Sequence, residues 1–371
     1  MRILLVTPYL HPEGGGLERY AAMVGTTLAA SGHEVTLVGH TSEPMDEERG
    51  HVRCIGLPPA LRISNTPLRP RMHRELRRLL RAEHFDVVNA HTPVPGAAEM
   101  AWWAARREGT PFVVTYHAGE LRSGSSLFAV PARFHRHTME RAMIVNADAR
   151  IAVSDFVARR VFHGLKSTLA SPGVDTERFT PGGTPVPGRI LYVGPVARAY
   201  AWKGLSFLTE AITLLRARFP TAHLRAVGDG DLAERYRACG VVVTGRVDDA
   251  RLVDEYRAAS VVALPSVTDA ESFGMVLAEA NACGRPVVGS RVGGIPCFVR
   301  DGDNGLLAEP GDAASLAERL ARILSDPELA RALGARGRAR VELEHSWAGV
   351  SQRCLGVFTE VCARAGRSTG P

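Results

Sequence analysis

RILYVG, residues 189–194, repeats RILLVT, residues 2–7, almost letter for letter: an arginine, four large apolar or aromatic positions, then a small residue. Each run has the length of a buried strand and is followed by a glycine- or proline-bearing loop and a helical pattern. After the first copy the loop extends to Gly16, apolar residues recur at helical spacing over 17–30, Gly32 stops the helix, and a second apolar run follows at 35–38. That is a βαβ unit. Further strands are expected at 87–89, 112–115 and 150–153, and after the second copy (190–193) at 223–227, 241–243, 261–264 and 287–289. Between the copies lies PGVDTERFTPGGTPVPG (172–188), dense in Pro and Gly. The pattern predicts an α/β chain of two doubly wound halves, 1–171 and 189–345, joined by a linker at 172–188. A last helical segment, within 346–371, is able to pack on either half. Open parallel sheets take ligands beyond the carboxyl ends of their strands, so functional residues belong in the loops after strands, facing a cleft between the halves.

Composition supports an ordinary globular protein: 371 residues, 45% apolar and 23% charged, enough for a core in each half. The sequence has no apolar run near the ~20 residues of a membrane span, and MRILLVTPYL turns polar too soon for a signal peptide. The expected location is cytoplasmic. Six scattered cysteines without a CxxC pair suit reduced thiols rather than a structural zinc site. The net charge is +6, carried by arginine except at Lys166 and Lys203. It reflects either coding bias or attraction to anionic substrates or membranes. No nucleic-acid-binding motif occurs.

Several loops carry chemistry. PYLHPEGGGLER (8–19) follows the first strand and opens a helix, so the amides of Gly15 and Gly16 are placed to approach a phosphate. It lacks the dinucleotide G-x-G-x-x-G spacing, and the chain has no phosphate-binding G-x-x-x-x-G-K motif. VGPVARAYAWKGL (193–205) occupies the same place in the second half, with Arg198 and Lys203 as cations for a diphosphate. VGDGDL (227–232) contains Asp-x-Asp, but its context makes Asp231 a helix cap rather than a metal ligand. DGDNG (301–305) lacks the glycine position and closing glutamate of a calcium loop and reads as a hairpin turn at Asn304-Gly305. No metal site is expected. TYHAGE (115–120) sets His117 just past a strand end. In LRPRMHRELRRLLRA (68–82), Leu68, Met72, Leu76 and Leu79/Leu80 form one stripe among arginines, either a packed helix with a solvated face or a peripheral membrane contact.

The most specific element is ESFGMVLAE (271–279), two carboxylates separated by seven residues, preceded by LPS (264–266) and followed by ANACGRPVV. Together with GPVARAYAWKG, the paired halves and PYLHPEGGGLE, it resembles the family 4 retaining glycosyltransferases of the GT-B fold, over the chain from Met1 to about Trp347. The pattern is similar to that of bacterial phosphatidylinositol mannosyltransferases, and transferases with other acceptors share it. The resemblance implies that Glu271 and the backbone of Phe273, Gly274 and Met275 hold the donor sugar. It implies that Glu279 holds the ribose, that Lys203 with Gly15 and Gly16 binds the diphosphate, that His117 contacts the sugar near its reacting carbon, and that TGRVDD (244–249) frames the base around Val247. The family's arginine after the strand is Pro195 here, with Arg198 as its candidate substitute.

What this implies chemically is a metal-independent retaining transfer without a cofactor, from a UDP- or GDP-sugar to a hydroxyl of a glycan, lipid or small metabolite. Two cations and a helix dipole would take the charge of the leaving diphosphate. Asp248 and Asp249 are open to two readings, recognition of a guanine edge or favourable charge at a helix start. The acceptor would meet residues 9–16, 62–70 and 118–130. Two alternatives share these features: a sugar-nucleotide 2-epimerase, and a binding module without turnover.

Overall fold

The computed structural model describes residues 1–63, 66–118 and 135–368. The chain divides into two compact units, Met1–Pro172 with Trp347–Pro371, and Gly173–Ser346.

The described residues of the first unit form ten strands: β1 (Arg2–Tyr9), β2 (Glu34–His40), β3 (Met45–Arg49), β4 (Val52–Gly56), β5 (Leu61–Ile63), β6 (Thr66–Leu68), β7 (Val87–Thr92), β8 (Phe112–Tyr116), β9 (Ala149–Ala152) and β10 (Thr168–Leu169). Eight of them build one sheet in the order β10-β9-β8-β7-β1-β2-β4-β3, parallel throughout except for the β3–β4 pair at the edge. Strand β1 shows why the sheet is covered on both sides. Ile3 and Leu5 enter one core with the helix Gly16–Ala30, while Leu4 and Val6 enter the other with the helices Met72–Glu83 and Ala97–Glu108. Period-two alternation thus feeds two apolar layers, and the strand reads as a continuous apolar run. Edge strand β3, MDEER, is mostly exposed and charged, which gives it no apolar signature to find in the sequence.

The second unit has six strands: β11 (Arg189–Val193), β12 (His223–Val227), β13 (Val242–Val243), β14 (Val261–Leu264), β15 (Val287–Ser290) and β16 (Leu306–Ala308). They lie all parallel, in the order β13-β12-β11-β14-β15-β16. The winding reverses between β11 and β14, as it does in the first unit between β1 and β7, and such a reversal opens a crevice at the carboxyl ends of the two central strands. The residues read as a linker, 172–188, fold largely into this unit. Phe179 is buried against Tyr256, and Val174 N–H donates to His345 O at 2.7 Å.

Three local expectations change. Asn304-Gly305 does not close a hairpin, because β16 runs parallel to β15. Asn304 is instead fully buried, donating to Asn281 Oδ1 at 3.0 Å and accepting from Arg300 N–H at 2.7 Å, which ties its loop to the helix Met275–Ala282. In the arginine-rich segment Leu68 belongs to β6, the helix starts at Met72, and Met72, Leu76 and Leu80 are spent on the core. Its Arg77 and Arg81 both pair with Glu108. The last helix, Trp347–Ser368, directs Trp347, Val350, Cys354, Val357, Phe358 and Val361 into the core of the first unit. Burial of each of the larger of these side chains contributes about 1.5–3 kcal/mol before ordering entropy, so the helix is a core element there.

Candidate functional site

In the second unit the chain leaves β11 through Gly194 and enters a 3-10 segment, Arg198–Lys203; it leaves β14 through Pro265 and Ser266 and reaches the helix Met275–Ala282. These two connections interlock. Val267 N–H donates to Trp202 O at 2.8 Å. Gly204 has φ +76°, and a Cβ there would stand 1.9 Å from Pro265 O, so both backbone conformation and space demand glycine. The interlock delivers Lys203 Nζ to Glu271 Oε2 at 2.8 Å, across 68 residues of sequence. Ser266 Oγ donates to the same oxygen at 3.3 Å, and the ammonium stands 4.7 Å from the Trp202 ring centroid. The two charged side chains are only 17% and 12% exposed, so their charge-assisted bond is less screened than a surface pair.

Around Glu271 the backbone is held as tightly. Gly294 N–H donates to Glu271 O at 2.7 Å, and a Cβ on Gly294 would lie 1.8 Å from Ser272 O. The motif divides into a loop and a helix whose cap, Gly274 (φ +89°), supplies no side-chain bond, which leaves the first amides open to an anion. Phe273 is buried, ring to ring with Phe298 at 5.4 Å and His345 at 5.3 Å, so its side chain belongs to the core and only its backbone is left for a ligand. Met275 is half-buried at the helix start. Glu279 sits deeper in the helix, 4% exposed, accepting from Tyr256 O–H at 2.8 Å.

Other residues of the second unit are placed as follows. Asp231 does not cap the helix Ala233–Ala238, whose cap position is Leu232. Its carboxylate accepts Arg198 N–H at 2.8 Å and so caps the 3-10 segment that carries Lys203. This is possible because Gly230 and Gly228 lie against the 194–197 turn, where a Cβ would meet Val196 O at 2.4 Å and Gly194 O at 1.9 Å. The Arg198 side chain is exposed, and the structure does not bring it to the Lys203–Glu271 pair. Pro195 O accepts from Tyr192 O–H at 3.2 Å. Half-buried Val247 precedes Asp248, which caps the helix Asp249–Ala258 through Arg251 N–H, and Asp249 pairs with Arg178. Both carboxylates are therefore engaged in holding the helix start.

In the first unit Gly15 and Gly16 open the helix Gly16–Ala30 and are exposed. The Glu18 carboxylate already accepts Gly15 N–H at 2.7 Å, and burial holds its pKa above the ordinary value. Gly15 is thus occupied by an internal anion, with Gly16 beside it. His117 follows β8 and is 9% exposed. Its Nε2 lies 2.8 Å from Nδ1 of His91, the fully buried penultimate residue of β7, and the Tyr20 ring packs on it edge-on at 4.8 Å. Burial drives both imidazoles towards the neutral form, His91 down to about 3 and His117 well below its usual value.

Sequence reasoning did not single out Ser266, Trp202, Tyr256, His91 or Gly294. Ser266 and His91 share one available signal, a polar residue at the carboxyl end of a central strand. Of the expected acceptor segments, residues 64–65 and 119–130 lie outside the described residues. Among the described residues there is no group of three or more His, Cys, Asp or Glu that could hold a metal ion, and no helix long and apolar enough to cross a membrane.

A family model for Glycosyltransferase Family 4 matches residues 14–178, and one for Glycosyl transferases group 1 matches residues 187–326. The chain is 31% identical to a phosphatidyl-myo-inositol mannosyltransferase of Mycolicibacterium smegmatis, over 97% of this chain and 94% of the relative. It is also 31% identical to a D-inositol 3-phosphate glycosyltransferase of Actinosynnema mirum, over 93% and 92%. Among solved structures, sucrose-phosphate synthase from Thermosynechococcus elongatus superposes with a TM-score of 0.80 at 25% identity, covering 98% of this chain and 99% of that one. Anabaena HepE in complex with UDP-glucose superposes at 0.73 with 18% identity, covering 97% and 100%.

Proposed function

Given that the chain belongs to the family 4 glycosyltransferases and has their GT-B fold, we propose that it transfers a hexosyl group from a UDP- or GDP-sugar to a hydroxyl acceptor, with retention of configuration and without a metal or cofactor. The observation that carries the reading is the Lys203–Glu271 pair, set where the winding of the second sheet reverses and next to an uncapped helix N-terminus. In this reading Lys203 and the amides after Gly274 take the diphosphate, and Glu271 takes sugar hydroxyls. Glu279 takes the ribose, by exchanging or sharing the Tyr256 hydroxyl. The bond from the anomeric carbon to the diphosphate oxygen breaks as the bond to the acceptor oxygen forms on the same face. The acceptor proton passes to a diphosphate oxygen, and the ammonium and helix dipole hold the charge that develops there.

His117 would contact the sugar near its reacting carbon, and Gly16 would add an amide to the phosphates. Arg198, exposed on the capped 3-10 segment, would supply the second cation that Pro195 cannot. Val247 would border the base. The relatives named for inositol-based acceptors and the neighbour solved with UDP-glucose support a nucleotide-sugar donor and a polyol acceptor. Peripheral contact with an anionic membrane would rest on exposed Arg74 and Arg78 and on Trp103, 50% exposed, because the apolar stripe of that helix is buried.

Thermal unfolding with UDP, GDP, ADP and TDP tests the donor site first, since a ligand at one hundred times its dissociation constant stabilises by about 2.7 kcal/mol. Turnover of the matching sugar nucleotide, with and without EDTA, then tests metal independence, and the anomeric coupling constant of the product tests retention. Release of an epimerised sugar without acceptor, or binding without turnover under every acceptor tried, would overturn the proposal.

A further inference from the structure

His91 and His117 stand at the carboxyl ends of neighbouring parallel strands. In the β7–β8 register His91 is opposite Thr115, and His117, two residues on, projects to the same face. Its backbone N–H donates to Thr92 O at 3.0 Å, which extends the ladder one step past β8 and fixes where the ring begins. The rings meet Nδ1 to Nε2 at 2.8 Å with 30° between their planes. His91 is wholly enclosed and its Nε2 has no hydrogen-bond partner among the described residues, whereas His117 keeps the pair's only exposure. Tyr20 closes the third side, and its own hydroxyl is held by Ala170 O at 3.0 Å. Burying an imidazole with one nitrogen unsatisfied is costly, and apolar packing alone would fill the place without that cost.

We infer that His91 is a positioning residue for the transfer reaction: it engages Nε2 of His117, fixes the tautomer and tilt of that ring, and leaves Nδ1 as the one ring atom His117 can offer a ligand. This rests on the reading of His117 as a sugar contact. The pair shares one proton along its contact, so whichever ring donates, the protonation of His117 Nδ1 is set by His91 and not by solvent. His91 itself touches no substrate.

The geometry makes a distinction between substitutions. The side-chain amide of asparagine places a polar atom where His91 Nδ1 is, so His91→Asn keeps the bond to His117. Glutamine reaches the position of Nε2, which has no partner, and leucine fills volume without any bond. The full-length variants His91→Asn, His91→Gln and His91→Leu are compared by two measurements. In nitrogen-15 NMR of histidine-labelled protein, wild type and His91→Asn should show His117 in one tautomer with the same ring shifts, while the glutamine and leucine variants show changed or averaged shifts. In turnover of UDP-glucose and GDP-mannose, His91→Leu and His91→Gln should lose ~10–100-fold in kcat with donor KM within about twofold, as expected for a misplaced contact to the reacting centre. His91→Asn should stay within about threefold, although it leaves the larger void and melts lowest. Activity that follows melting temperature across the three variants, or His117 shifts that ignore all of them, overturns the inference. If wild type turns over neither sugar nucleotide while the NMR pattern holds, the donor reading fails and the positioning of His117 stands.

Discussion

Replacing Lys203 by methionine keeps an unbranched side chain of similar reach beside Trp202 and removes the ammonium that donates to Glu271. The Glu271 carboxylate, 12% exposed, would keep only the Ser266 hydroxyl at 3.3 Å. Breaking a fully buried pair by deleting one partner costs about 3–5 kcal/mol. The residual exposure and the Ser266 bond reduce this, so Lys203→Met should destabilise the second unit by about 2–3 kcal/mol. For a unit of this size that is roughly 4–12 °C in melting temperature. The informative variant is the double one. Lys203→Met with Glu271→Gln leaves no buried charge without its partner and should recover to within about 1 kcal/mol of wild type, a coupling that a double-mutant cycle reads directly. Activity should not follow, because the cation proposed to hold the diphosphate is still missing: kcat/KM is expected to stay down by ~100–1000-fold in both variants. Scanning calorimetry of the four proteins, with UDP and GDP titrations, checks both halves. A single variant that melts with wild type, or a double variant no more stable than the single, would refute the claim that the pair is a partly buried, energetically coupled device.

Further outcomes follow from the same geometry. Gly204→Ala should abolish Lys203–Glu271 contact without touching either residue, since its Cβ would overlap Pro265 O at 1.9 Å; strain at a positive φ adds roughly 1 kcal/mol, and the loss is read as reduced nucleotide binding. Asp231→Ala removes the cap on Arg198 N–H and should cost about 1 kcal/mol, with a larger loss in donor affinity than in the melting temperature of the first unit. The neutral histidines set an acid limit. His91, lowered to about 3, and His117 and His40, also lowered by burial, bind protons less readily folded than unfolded. Their contribution is complete above the unfolded value of about 6.5 and is lost as pH falls towards the folded value. By pH 5 this amounts to about 2 kcal/mol for His91. Urea unfolding at pH 7 and pH 5 should show it, and His91→Asn should flatten the dependence.

The strands β1, β7, β8, β11, β14 and β15 were readable because both their faces are largely buried and they carry apolar runs, whereas β12 (HLRAV) shows alternation, with Leu224 and Ala226 buried and His223 and Arg225 half-buried. Charged edge strand β3 and two-residue β10 carry no such run, and β16 is apolar and buried but only three residues long, too short to stand out. The Asn304 hairpin and the Asp231 cap were misread for a related reason: short polar turns have several local solutions, and distant backbone chose between them. In Asp231 the choice fell to a loop 33 residues away. The apolar stripe of the helix Met72–Glu83 was visible as a stripe, but whether core or membrane covers it is a matter of what packs there, and Met72, Leu76 and Leu80 are in the core.

What the sequence by itself determined is everything that repeats or caps locally: two rounds of strand, glycine loop and helix, a lone lysine among arginines after β11, and two glutamates that straddle a helix start. Period and turn chemistry act within a few residues, so they can be read in one dimension. Only the tertiary structure decided which of these residues meet. Lys203 reaches Glu271 because β11 and β14 are neighbours at the reversal of the sheet, and His91 reaches His117 because β7 lies beside β8. Strand order is set by how whole layers bury their apolar faces, a property of the assembled core that no segment of the chain holds alone.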